Sequence, residues 1–174
     1  MEISSPVSII DGQDINVVHF PNLRSLNLEN ISAGIAPEMF RMLSESPTIQ
    51  ELTINYPLKY ESMDLLDLLF ERNNVLQKVK ITKLKPSHLN FISRLQGNTS
   101  LKELHFELFK LNMVHQDSPK HDPSIFHGQQ NNVLEELSLK ASSYKEYFLF
   151  SDYFTSMLMM FTNLKKLSFQ CLKF

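Results

Sequence analysis

Apolar residues recur along this chain in two periods, and the periods alternate. Six segments share the pattern apolar-x-x-apolar-x-apolar: LRSLNL from Leu23, IQELTI from Ile49, LQKVKI from Leu76, LKELHF from Leu101, LEELSL from Leu134 and LKKLSF from Leu164. Their starts lie 26, 27, 25, 33 and 30 residues apart. The closing apolar-x-apolar positions alternate with period two, which predicts a short, half-buried strand. Between these segments the period becomes helical. Ile35, Met39, Phe40 and Leu43 form one stripe, with Pro37 near a first helical position. Leu65, Leu66, Leu69 and Phe70 form the next, with Ser62 as a candidate N-cap. Leu89, Ile92 and Leu95 follow Pro86, and Phe154, Met157, Leu158 and Phe161 follow Ser151 and Asp152. No single unit of this kind can bury its own apolar face. Stacked units can, with the strands in a parallel sheet and the helices in an outer layer. An α/β class is the expectation.

The pattern is less regular elsewhere. Residues 1–20 do not fit a full unit, although Val7 and Ile9 suit an atypical edge strand. The long spacing from Leu101 to Leu134 places an insertion at 112–132. Pro119, Pro123 and Gly128 make that insertion a loop rather than a long helix. At the C-terminus the chain reaches LSFQCLKF with no further helical stripe, which reads as a piece of a longer array.

The six segments resemble leucine-rich repeats, over about residues 20–174 of the 174. The resemblance implies a solenoid: a curved parallel sheet with helices on the convex side, about six repeats over 21–174. The usual consensus places Asn or Cys shortly after the strand. Here Ile31, Pro57, Leu84, Phe109, Ser142 and Leu172 occupy that position, so the asparagine ladder of the family is expected to be absent. In irregularity and spacing they are more similar to the intracellular repeats of F-box/leucine-rich-repeat proteins than to extracellular receptors. That similarity implies the substrate-recognition region of a ubiquitin ligase subunit, joined to the ligase through a segment not present here. The same repeats also fit a scaffold without a ubiquitin connection, ribonuclease-inhibitor-like or immune-receptor-like. Similar repeats occur in activators of small GTPases, which rely on polar groups in loops leaving the sheet. Arg24, Arg41, Arg72 and Arg94 do not fall there, Arg24 by register lying inside a strand.

Composition narrows the classes. A net charge of −2 argues against a general nucleic-acid binder. No stretch approaches the roughly 20 apolar residues of a membrane span. Cys171 is the single cysteine, so no intrachain disulfide forms, and with no secretory signal at the start the expected compartment is intracellular, cytoplasmic or nuclear. The sequons at Asn30 and Asn98 are therefore read as chance matches. His115, Asp117, His121, Asp122 and His127 crowd the insertion, but three histidines six residues apart match no metal motif, and no metal or cofactor is expected. Nothing near Cys171 supplies a base or lowers its pKa, so an enzyme is not expected.

The remaining functional surface is the set of positions between the apolar ones on each strand, which face the concave side by register. Among these, Lys78, Lys80, Glu103, His105 and Glu107 lie on the central strands and are the expected contacts for a protein partner. The same residues also suit cross-strand charge pairs of small worth.

Overall fold

A computed structural model describes residues 7–9, 22–29, 36–55, 63–84, 86–108, 122–141 and 151–171. The class is α/β. Among these residues seven strands form one sheet: β1 (Val7–Ile9), β2 (Ser25–Glu29), β3 (Glu51–Asn55), β4 (Lys78–Leu84), β5 (Glu103–Leu108), β6 (Glu136–Ala141) and β7 (Lys166–Cys171). Every neighbouring pair is parallel, and the order across the sheet is the order along the chain. A parallel neighbour requires a crossover, and each unit supplies one. The crossovers contain α1 (Ala36–Glu45), α2 (Met63–Arg72), the 3₁₀ segments η1 (Pro86–Gly97) and η2 (Pro123–Phe126), and α3 (Ser151–Met159). These touch in sequence, α1 on α2, α2 on η1, η1 on η2 and η2 on α3, forming a single outer layer.

Alternation along the strands decides which face is covered. Leu26, Leu52, Val79, Leu104 and Leu137 form one buried row across the sheet, and Leu28, Ile54, Ile81, Phe106 and Leu139 form a second. Met39, Phe40 and Leu43 of α1, Leu66, Leu69 and Phe70 of α2, and Leu89, Ile92 and Leu95 of η1 close over them. Ile35, Ser62 and the side chain of Leu65 lie outside the described residues. In η1 the spacing explains the helix type. Leu89, Ile92 and Leu95 are three residues apart, so three residues per turn align all of them on one face. Phe91 is also buried there, with its ring stacked on Phe70 at 5.4 Å between centroids. In α3 the buried residues are Tyr153 and Met157, followed by Met160 and Phe161. Phe154 and Leu158, expected in that stripe, are only half-buried.

The units are joined by a repeated backbone device. The carbonyl before each of β2 to β6 accepts two N–H groups from the next unit: Arg24 from Gln50 and Glu51, Gln50 from Gln77 and Lys78, Gln77 from Lys102 and Glu103, Lys102 from Glu135 and Glu136, and Glu135 from Lys165 and Lys166. Arg24 thus precedes β2 rather than lying within it.

An asparagine ladder is present, which corrects the expectation drawn from the positions after the strands. It stands three residues before the first apolar residue of a strand segment, at Asn73, Asn98 and Asn131, all buried. Each Oδ1 accepts two N–H groups as the chain turns into the strand, from Val75 and Leu76, from Ser100 and Leu101, and from Val133 and Leu134. Each Nδ2 donates to carbonyls of the preceding unit: Leu43 and Ser46, Phe70 and Asn73, and Leu95 and Asn98. Backbone groups that would otherwise be orphaned in the core are paired this way. The sequon at Asn98 is occupied by this role, its amide enclosed between units.

Of the insertion expected at 112–132, the structure describes Asp122 onward. Asp122 caps η2 by accepting from the Ser124 N–H at 2.9 Å, and Gly128 takes the left-handed φ of +74° that a glycine tolerates without strain. Phe126 is buried edge-on against Tyr153, 4.9 Å between centroids, so this part of the insertion belongs to the outer layer.

Candidate functional site

Parallel sheets are ordinarily covered on both faces. Among the described residues this one is covered on one face only, and the open face carries polar side chains in three rows. The first row is Ser25, Glu51, Lys78, Glu103, Glu136 and Lys166. The second is Asn27, Thr53, Lys80, His105, Ser138 and Ser168. The third runs through Glu29, Asn55 and Thr82, and on the far side of a register shift through Glu107, Lys140 and Gln170. Lys78, Lys80, Glu103, His105 and Glu107, expected to share a surface, all lie on β4 and β5 at its centre.

The outer rows are largely satisfied within the protein. Lys78 Nζ lies 2.7 Å from Glu103 Oε2, Lys166 Nζ 2.9 Å from Glu136 Oε1, and Lys140 Nζ 3.5 Å from Glu107 Oε2. In the third row, Thr82 Oγ1 donates to Asn55 Oδ1 at 2.6 Å. The hydrogen bond from Lys78 holds the Glu103 carboxyl below its usual range, with His105 adding and partial burial opposing. The same bond raises the Lys78 ammonium, burial opposing, with Glu51 and Glu136 adding from nearby strands. The pairing read as cross-strand neutralisation is therefore realised at these positions.

The middle row is different. It contains no carboxylate, and its charged or chargeable members are Lys80 and His105. His105 Nε2 approaches Glu103 Oε2 at 3.4 Å and Glu136 Oε1 at 4.0 Å, both from the first row. Lys80 is exposed, and among the described residues no carboxylate stands within 4 Å of its ammonium. Its neighbours across the sheet are Thr53 and His105.

Lys80 borders an open depression of about 370 Å³, whose polar lining also includes Lys78, Thr82, His105, Glu107, Ser138 and Lys140. A local irregularity sits at its rim. The register of β4 on β5 shifts between Ile81 and Leu84, and Lys83 adopts a left-handed φ of 58°. Such bulges bend a strand and re-aim its side chains. Ser138 and Lys140 on β6 fall on this face by the same alternation, although they are not among the central-strand contacts expected from the sequence. Strand order brings them beside the site, because β6 lies next to β5 on the side away from β4.

No group of three or more His, Cys, Asp and Glu among the described residues could hold a metal ion. His115 and His121 lie outside the described residues, and His127 is exposed beside η2. The backbone of Cys171 ends β7, and its side chain lies outside the description. No described helix is long and apolar enough to cross a membrane. The sequence matches no protein-family model and no curated protein.

Proposed function

We propose that this chain is a leucine-rich-repeat solenoid, with a curved sheet and helices on its convex side, that holds a protein on the concave face and catalyses no reaction. The observation that carries the reading is the one-sided burial of a chain-ordered parallel sheet. Helices and η segments close one face. The other presents aligned polar rows, with Lys80 of the central row lacking a carboxylate partner among the described residues. A surface of this kind suits recognition of a partner through complementary charge. The buried asparagines, spaced 25 and 33 residues apart, add a second repeating feature in phase with the strands.

Irregular unit length and the resemblance to F-box/leucine-rich-repeat proteins favour one setting, the substrate-recognition part of a ubiquitin ligase subunit in the cytoplasm or nucleus. In that setting the bound protein is the one to be ubiquitylated, and another segment contacts the ligase. The test is a photo-crosslinking amino acid at position 53 or 105, with position 71 on the exposed side of α2 as control. One and the same protein crosslinked from 53 and 105, and not from 71, is the expected result. A partner captured only from position 71 overturns the binding face. A captured partner whose level in cells is unchanged when this chain is depleted overturns the ligase setting and leaves a plain scaffold.

A further inference from the structure

We infer that the depression between β4 and β6 receives the carboxylate side chain of a single Asp or Glu of the partner protein, with Lys80 as its counter-ion. The inference rests on the proposal that the open face is the binding surface, and it names what that surface recognises. Three lysines, Lys78, Lys80 and Lys140, border the depression. Two are already engaged, Lys78 with Glu103 at 2.7 Å and Lys140 with Glu107 at 3.5 Å. Of the three, that leaves Lys80 without a carboxylate partner among the described residues. One monoanion balances it. A dianionic phosphate would leave negative charge in excess beside Glu103 and Glu107.

Hydrogen-bonding capacity points the same way. Ser138 lies in the same row as Lys80 and lines the depression, and no hydrogen bond engages its hydroxyl among the described residues. A carboxylate accepts from an ammonium and from a hydroxyl together. Lys166 does not compete for this role, being held by Glu136 at 2.9 Å. The surrounding pairs also set specificity. An arginine or lysine entering the depression would meet Lys80 and find the nearby carboxylates already taken.

The test is selection of random peptides displayed on phage against the intact chain, which works with an unidentified partner. Enriched peptides are expected to share one acidic position. Synthetic versions should lose about tenfold in affinity to Lys80→Gln and keep it with Lys80→Arg. The Lys80→Glu protein should instead select Lys or Arg at the shared position, a swap that a merely structural role for Lys80 would not produce. Peptides weakened by Lys140→Glu yet lacking a shared acidic position would overturn the carboxylate site and leave the binding face standing. Peptides indifferent to every change on the open face and abolished by Glu71→Lys would overturn both. A phosphoserine at the shared position binding more than tenfold tighter than Asp or Glu would overturn the monoanion assignment, as would failure to enrich any peptide.

Discussion

Leu137 and Leu167 hold the same place in their repeats and are register partners on neighbouring strands, yet their surroundings differ sharply. Leu137 is fully buried, as is Leu104 one strand earlier, whereas Leu167 is 47% exposed. Along β7 the next inward residue, Phe169, is half-buried and rests its ring against Phe154 at 5.8 Å. Met159, at the end of α3, is 77% exposed. Sequence pattern is equal in the two regions, so it does not set burial. An inward side chain in this architecture is covered by its own unit and by the units on both sides. β6 has described neighbours on both sides, whereas β7 has one described neighbour, β6.

The largest effects should come from breaking the middle of the array. Leu104→Ala or Leu137→Ala removes a fully enclosed side chain and should cost about 2–5 kcal/mol through the cavity left behind. Urea melts of both variants measure it, and losses under half a kcal/mol at both would mean that these residues are not packed as described. Asn98→Ala should follow at about 2–3 kcal/mol, because it leaves the Leu101 N–H and the Phe70 and Asn73 carbonyls without their buried partner. A melt of Asn98→Ala beside Asn131→Ala asks whether the ladder acts at each junction, and two silent variants would remove it from the stabilising interactions.

Leu167→Ala sharpens the contrast directly. With half of the side chain already in water, the expected loss is about 1 kcal/mol. A loss equal to that of Leu137→Ala would mean that something covers β7 in solution. Smallest is the Lys78–Glu103 pair, in which both side chains are more than a third exposed. Its contribution should stay below about 1 kcal/mol. Glu103 has a lowered folded pKa, so its share is present above pH about 4.5 and lost as pH falls through the lowered value. Lys78 has a raised folded pKa, so its share is present below pH about 10.5 and lost as pH rises through the raised value. Denaturant midpoints across pH, compared with Lys78→Gln, should show the difference narrowing at both extremes. A difference unchanged at acid pH would show that the pair is broken in solution.

The candidate site is partly legible in the sequence. Lys78, Lys80, Glu103, His105 and Glu107 fall on one surface because strand side chains alternate and the repeats share a phase. The contrast between Lys78 and Lys80 is not legible there. Both appear in the sequence as lysines between acidic strands, but a parallel register pairs residues row by row. Lys78 therefore meets Glu51 and Glu103, and Lys80 meets Thr53 and His105. Lys140 shares that face by the same phase, and strand order brings it beside the central strands. The asparagines escape the pattern for a related reason. The family consensus points to a position after the strand, whereas the backbone groups needing partners lie before it, where the chain turns from the helical layer into the sheet.

Local patterning by itself determined the alternation of strand and helical segments, the apolar face of most of them and the common phase of the repeats, because these depend on side-chain direction within a few residues. It also limited η1 to a face of three-residue spacing, although Phe91 entered the core through its contact with Phe70. Tertiary structure alone decided which identical-looking positions were enclosed, which of the lysines around the depression stands without a carboxylate among the described residues, and which asparagines sealed the junctions. Burial, ion pairing and the satisfaction of buried amides all require a second segment at a defined distance. In this chain that segment is one repeat away, 25 to 33 residues along the sequence.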